Sequence, residues 1–357
     1  MPASPETPFT EVHLDREQIA GRAADLWRGK HPKRWRNSSA SQKAALQEEF
    51  REAVRSLEAS LAAGSPAFFT GFARWQEASA GSGRPRGEKT AEVLAVLREV
   101  LPREAPRDLL PEMEEILAGG QAALSAGPQP LPSFLDSGDP LAPAARAYLE
   151  ALLRGDSAAA GKVIDEAIGS GEAVPAIYRG IVRPVLQETG RLWQIGKITV
   201  AEEHYISAAT RNVIGRLHDR VLSSRGRGRR NTTLVAAGVA GELHDLGIRI
   251  VADFFALDGW EIYYTGADTP AEDILSAVRD RKADAVALSC TLPYHVAGIR
   301  HVIRMLRSDP AARTAKILVG GHPFQLVPGL WQTIGADAWG TDEDAAVAAL
   351  DRLVPPR

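Results

Sequence analysis

Near Asn231 the chain changes its hydrophobic period, and that change constrains the fold more than any other feature. Downstream of it five short apolar runs, TTLVAAGVA, WEIYYTG, ADAVALSC, AKILVGG and ADAWG, alternate with segments of helical length that start near Leu246, Pro270, Pro293, Phe324 and Asp342. Five such β-α repeats predict a parallel, doubly wound sheet over 232–357, flavodoxin-like and so Rossmann-like in architecture. Ligands of these folds sit beyond the carboxyl ends of the strands, where loops and helix N-termini converge. The residues just after each run are therefore the ones to inspect.

Upstream the period is helical. Residues 1–126 predict an all-α domain of five or six helices, the clearest over about 41–63, where Phe50, Val54, Leu57 and Leu61 line one face. Ser65-Pro66 restarts the chain as cap and first-turn proline before the aromatic stretch Phe68, Phe69, Phe72 and Trp75. GSGRPRGE (81–88) reads as a loop, and two more helices follow around 93–100 and 109–124, the second broken near Gly119-Gly120. The stretch 127–140, GPQPLPSFLDSGDP, holds four prolines and is a linker. Helices at about 141–154, 157–169, 173–194 and 199–222 then form a bundle over 141–222, with Pro184 expected to kink the third. SSRGRGRRN (223–231) is a basic linker to the sheet domain.

Charge and composition exclude several classes. The 42 Lys and Arg against 45 Asp and Glu leave a net charge of −3, and residues 1–126 hold 17 basic and 18 acidic side chains. No segment reads as a polyanion binder, so nucleic acid is not expected as a partner, and the cluster RGKHPKRWR (28–36) reads as a solvated helix end. No apolar run approaches the roughly 18 residues a membrane span needs, and the first residues lack the basic-then-apolar pattern of a secretory signal. With a single cysteine there is no internal disulfide, and the expected location is the cytoplasm.

After the first strand run comes Glu242-Leu-His244-Asp-Leu-Gly247, after the third Ser289-Cys290-Thr291, and after the fourth Gly320-Gly321. Together these resemble the cobalamin-binding fold of corrinoid methyltransferases, mutases and cobalamin photoreceptors, with its D-x-H-x-x-G, S-x-L or S-x-T, and G-G pattern. The departure is Glu242 where Asp is commoner, and the longer carboxylate still reaches an imidazole. The resemblance implies that His244 is the lower axial cobalt ligand. A carboxylate accepting the other ring N–H fixes the tautomer and raises basicity, which is the role implied for Glu242. The nucleotide tail of the cofactor would pass where Ser289, Thr291, Gly320 and Gly321 stand.

In the bundle, Trp193 precedes Glu203 and His204 in a W-x9-E-H arrangement. This is similar to light-sensing cobalamin domains of the CarH type, and the resemblance implies that Trp193 packs on an adenosyl group, Glu203 hydrogen-bonds it and His204 shares the site. The histidine that follows the tryptophan in those sensors is Gln194 here. Nothing in 1–126 resembles their DNA-binding module. That block looks like globin-like sensor domains, and the whole chain resembles photocobilins, which carry cobalamin and biliverdin. The expected function is thus a light sensor without catalysis, using adenosylcobalamin and biliverdin and acting through light-dependent homo-oligomerisation or a downstream signalling partner. The alternative is a corrinoid protein of a methyltransferase system, and a DNA-binding regulator is a third class.

Overall fold

The computed structural model describes residues 9–80, 90–127, 132–136, 138–224 and 230–355. The expected loop 81–88, residues 128–131 and 137 of the proline-rich stretch, and 225–229 of the basic stretch lie outside the described residues. The chain divides into two compact units, one of 1–129 with 292–300 and 322–335, the other of 130–291 with 301–321 and 336–357.

The first unit is built on α1 (Arg16–Lys30), α2 (Pro32–Asn37), α3 (Ala40–Ala62), α4 (Ala67–Ala80), α5 (Thr90–Glu104) and α6 (Leu110–Ser125). Helix α3 begins with a full capping box, Ser39 accepting from the Gln42 backbone while the Gln42 side chain accepts from Ser39 N. Its apolar stripe of Phe50, Val54, Leu57 and Leu61 lies in one core with Ile19 and Trp27 of α1, Phe69 of α4, Leu94 and Leu97 of α5, and Ile116 of α6. Helix α6 is not broken at its glycine pair. A Cβ at Gly120 would lie 2.8 Å from the Phe69 ring, so the glycine there permits close packing of α6 on α4.

The second unit opens with α7 (Ala142–Leu153), α8 (Ser157–Gly169), α9 (Val174–Ile177), a π-helical turn at Tyr178–Val182, α10 (Arg183–Gln194) and α11 (Val200–Ser224). The expected third helix is therefore three pieces. Pro184, in the first turn of α10, has no N–H to donate to the carbonyl four residues back, and the widened turn lies just before it.

The sheet module follows: β1 (Thr233–Val239), α12 (Leu246–Leu257), β2 (Glu261–Thr269), α13 (Ala271–Asp280), β3 (Ala285–Ser289), α14 (Val296–Ser308), β4 (Lys316–Gly320), the short α15 (His322–Leu326) and α16 (Leu330–Thr333), β5 (Ala338–Trp339) and α17 (Glu343–Asp351). All strands are parallel in the order β2-β1-β3-β4-β5, so the expected doubly wound sheet is present. The order reverses direction at β1 and β3. Register pairs Gly238 with Ser289 and Ser289 with Gly320, which brings the ends of β1, β3 and β4 side by side at that switch. Bundle and sheet share a core in which Ile250 and Phe254 of α12 pack with Tyr178, Ile206, Val213 and Leu217. No helix among the described residues is long and apolar enough to cross a membrane.

Candidate functional site

The loop after β1 is held before any side chain acts. Glu242 N donates to Val239 O at 2.9 Å, Asp268 N to Glu242 O at 2.9 Å, and Gly241 N to the Asp268 carboxylate at 2.7 Å. Gly241 and Asp268 both adopt positive φ, the first favoured by glycine and the second tolerated by aspartate. The loop is thereby tied to the end of β2.

On it Glu242 is wholly buried, and its carboxylate is bonded from three directions. Oε1 accepts His244 N at 2.8 Å and pairs with His244 Nδ1 at 2.5 Å, while Oε2 accepts the backbone N–H of Thr291 after β3. A buried carboxylate needs such partners. The bond from Nδ1 leaves Nε2 as the remaining donor atom of a ring whose side chain is 59% exposed. The hydrogen bond to Glu242 raises the His244 pKa above the ordinary histidine value; burial opposes this, and the charges of Glu242, Glu203 and Asp245 add to it.

Beside this pair the glycines separate into two kinds. Gly321 has φ +108, and a Cβ there would overlap the Cys290 carbonyl, so its glycine is demanded by backbone packing between the β3 and β4 ends. A Cβ at Gly320 would meet nothing within 4 Å, and one at Gly247 likewise. Open space above Gly320, next to the partly buried Ser289 and Thr291, suits a group laid across the strand ends. Cys290 between them is fully buried, and burial pushes its thiol well up, so it stays protonated and unreactive.

The bundle residues are less gathered than the sequence suggests. Trp193, at the end of α10, packs partly buried against the core of the bundle. Glu203 accepts the Ser207 hydroxyl at 2.6 Å, and its charge reaches His244, so the start of α11 faces the β1 loop. His204 is 75% exposed and lies 3.6 Å from Glu203. Sequence reasoning missed Arg211, Asp245 and Tyr264, which meet beside His244: Asp245 bridges Arg211 at 2.5 Å and the Tyr264 hydroxyl at 3.1 Å. The available signals were the acid directly after His244 and the spacing of Glu203, Ser207 and Arg211 by fours along one helix face.

Among the described residues no group of three or more His, Cys, Asp or Glu side chains is arranged to hold a metal ion. A bare ion is thus not what these donors fit. One imidazole backed by a buried carboxylate, with open space over the neighbouring strand ends, fits a metal that brings its own equatorial ligands.

Comparison with known families agrees. Residues 232–350 match the family described as B12 binding domain, and residues 144–218 match a second family of the same description. Bundle and sheet thus each match a B12-binding family. Dimethylamine corrinoid protein 1 of Methanosarcina acetivorans is 26% identical over 193 residues, 54% of this chain and 88% of that protein. Dimethylamine corrinoid protein 3 of the same organism is 28% identical over 171 residues, 47% of this chain and 78% of that protein. A corrinoid protein of Desulfitobacterium hafniense is 24% identical over 195 residues, 54% of this chain and 87% of that protein. In fold the chain resembles the monomethylamine corrinoid protein of Methanosarcina barkeri, with a TM-score of 0.50 at 21% identity, covering 57% of this chain and 96% of that one.

These relatives overturn the light-sensor expectation. The stretch shared with the dimethylamine protein, 193 residues, is longer than either matched module alone, so a helical bundle ahead of a B12-binding sheet is not a mark of photoreceptors. Trp193, Glu203 and His204 stand on a bundle common to both classes and do not separate them, and Gln194 departs from the photoreceptor pattern. The photocobilin and CarH-type resemblance falls on this finding. So do the signalling partner and light-dependent homo-oligomerisation, and biliverdin in a globin-like N-terminal domain gains no support from these relatives.

Proposed function

We propose that this chain is the corrinoid protein of a methyltransferase system, a carrier that holds cobalamin while methyl groups are loaded and removed by partner methyltransferases and that catalyses neither transfer alone. The observation that carries this reading is the match to a dimethylamine corrinoid protein over 88% of that relative's length. When bound, cobalamin supplies a cobalt centre able to take and release a methyl group. His244 is the residue proposed to ligate that cobalt through Nε2, with Glu242 holding the ring and its tautomer. Ser289, Thr291, Gly320 and Gly321 are proposed to line the passage for the cofactor's tail, with Gly247 at the start of α12 beside it. Trp193, Glu203 and His204 are the bundle's share of the site. A cytoplasmic setting belongs to the same reading.

The upper ligand separates the alternatives. A methyl carrier binds methylcobalamin at least as tightly as adenosylcobalamin, whereas a site built around an adenosyl group prefers the latter. Equilibrium titration of the purified full chain with both forms, followed by absorption, tests this. Strong preference for adenosylcobalamin would overturn the methyl-carrier reading while leaving cobalamin binding intact.

A further inference from the structure

Asp245 occupies the N-cap position of α12, where an aspartate ordinarily accepts a backbone hydrogen bond from the first turn, a contribution of about 1 kcal/mol. Its side chain makes no such bond. Both oxygens are engaged elsewhere: Oδ1 takes Arg211 Nη2 of α11, and Oδ2 takes the hydroxyl of Tyr264 on β2. Tyr264 is itself covered by the Arg249 guanidinium, 4.8 Å from the ring centroid. The carboxylate is 17% exposed and the Arg211 side chain 55%, so the ion pair is half-solvated and its role lies in what it connects rather than in its strength. An acid next in sequence to His244 has thus given up its local role to connect the bundle to the sheet.

Arg211 lies two turns along α11 from Glu203 on the same face, and Glu203 is the bundle residue whose charge reaches His244. The loop carrying His244 is therefore fixed from below by Glu242 and Asp268 and from the side by Arg211. We propose that Arg211 and Asp245 are positioning residues for cobalt ligation: their ion pair holds the His244 loop in register with α11, so that the imidazole is presented at a fixed place relative to the bundle. This rests on the cobalamin reading above. The pair itself does not touch the cobalt, and its loss leaves a protein that still takes up cobalamin but ligates it incompletely.

The test titrates the full chain and its Arg211→Gln, Asp245→Asn, Arg211→Lys and Arg211→Gln/Asp245→Asn variants with hydroxocobalamin. Absorption reads the histidine-ligated fraction at saturation, and equilibrium dialysis reads total uptake. Each single variant is expected to weaken histidine ligation about tenfold, the size of effect typical of groups that orient a ligand. The double variant should be no worse than the poorer single, because both remove one ion pair, and Arg211→Lys should recover part of the ligated fraction. If Asp245→Asn does not fold, Arg211→Gln carries the comparison. A ligated fraction equal to wild type in the folded single variants overturns the proposal, even if their melting temperatures fall. Losses that add in the double variant overturn it too. A wild-type chain that takes up no cobalamin overturns the cobalamin reading and this proposal with it; uptake with a ligated spectrum that His244→Ala abolishes secures the reading independently.

Discussion

The Glu242–His244 pair binds proton and cobalt at the same ring, so its pH behaviour is informative. With Glu242 holding Nδ1, the raised pKa belongs to the proton on Nε2, the atom proposed for the metal. Histidine ligation should therefore weaken as pH falls through a value above the ordinary 6.5. In the protein without cofactor the sign for stability is opposite. The pair's contribution is fully present below 6.5 and is lost as pH rises through the raised folded value. An NMR titration of the cofactor-free protein should show His244 titrating above 6.5 and returning toward it in Glu242→Gln. A wild-type value at or below 6.5 would remove this account. The two glycines at the end of β4 give a second prediction. Gly321→Ala forces a Cβ onto the Cys290 carbonyl at positive φ and should destabilise the cofactor-free protein by on the order of 3 kcal/mol. Gly320→Ala points into open space, so its melting temperature should match wild type while cobalamin affinity falls. Equal affinity in Gly320→Ala would mean that nothing is laid across that strand end.

Buried polar groups join the elements of the bundle to the sheet. Asp253 of α12, 1% exposed, accepts the Tyr178 hydroxyl at 2.5 Å from the π turn and pairs with His218 Nδ1 of α11 at 2.7 Å. Arg183 and Arg179 reach Glu343 and Asp344 of α17 from the same end. Tyr178→Phe removes one partner of a carboxylate that keeps another, and should cost about 1 kcal/mol. Asp253→Ala strands both a buried hydroxyl and an imidazole, and should cost about 2–6 kcal/mol, taking 1–3 for each group left unmatched. Urea denaturation of both variants checks the order, and equal small losses would mean the network is replaced by water. None of this network was legible in the sequence, because Tyr178, His218 and Asp253 share no spacing and meet only through packing. The strands were legible because each is an apolar run bounded by turn residues, and the β1 loop because its acid, histidine and glycine are close in sequence. Helix α1 has no legible bounds in the sequence, because its buried face is Ile19, Ala20, Ala23, Ala24 and Trp27, mostly alanine, which gives a weak apolar stripe. The break expected at Gly119-Gly120 failed for a related reason: glycine signals a turn locally, but Phe69, fifty residues away, is what requires it there.

At the scale of the whole molecule, every residue proposed for the cobalamin site lies in the second unit, from Trp193 to Gly321. The relatives that match the chain do so over about half of it, and that half corresponds to most of their own length. A fragment of residues 130–357 should therefore fold on its two cores and bind cobalamin. The first unit, however, includes two segments that leave the sheet directly after proposed site residues: 292–300 follows Thr291, and 322–335 follows Gly321. In 292–300, Tyr294 lies 5.6 Å under the Arg55 guanidinium of α3, and Arg300 meets Phe9 at 5.1 Å and Glu11 at 3.8 Å. Removing residues 1–129 takes away those partners. The fragment should bind cobalamin more weakly than the full chain, by less than the loss in His244→Ala, because the histidine and its carboxylate are untouched. Limited proteolysis should cut the fragment, and not the full chain, within 292–300 and 322–335, with cofactor slowing the cuts by holding Thr291 and Gly321. Calorimetric titration together with mass-mapped proteolysis decides the matter. Affinity and cleavage pattern identical to the full chain would show that the helical unit does not support the cofactor end of the sheet, and complete loss of binding would show that it is part of the site itself.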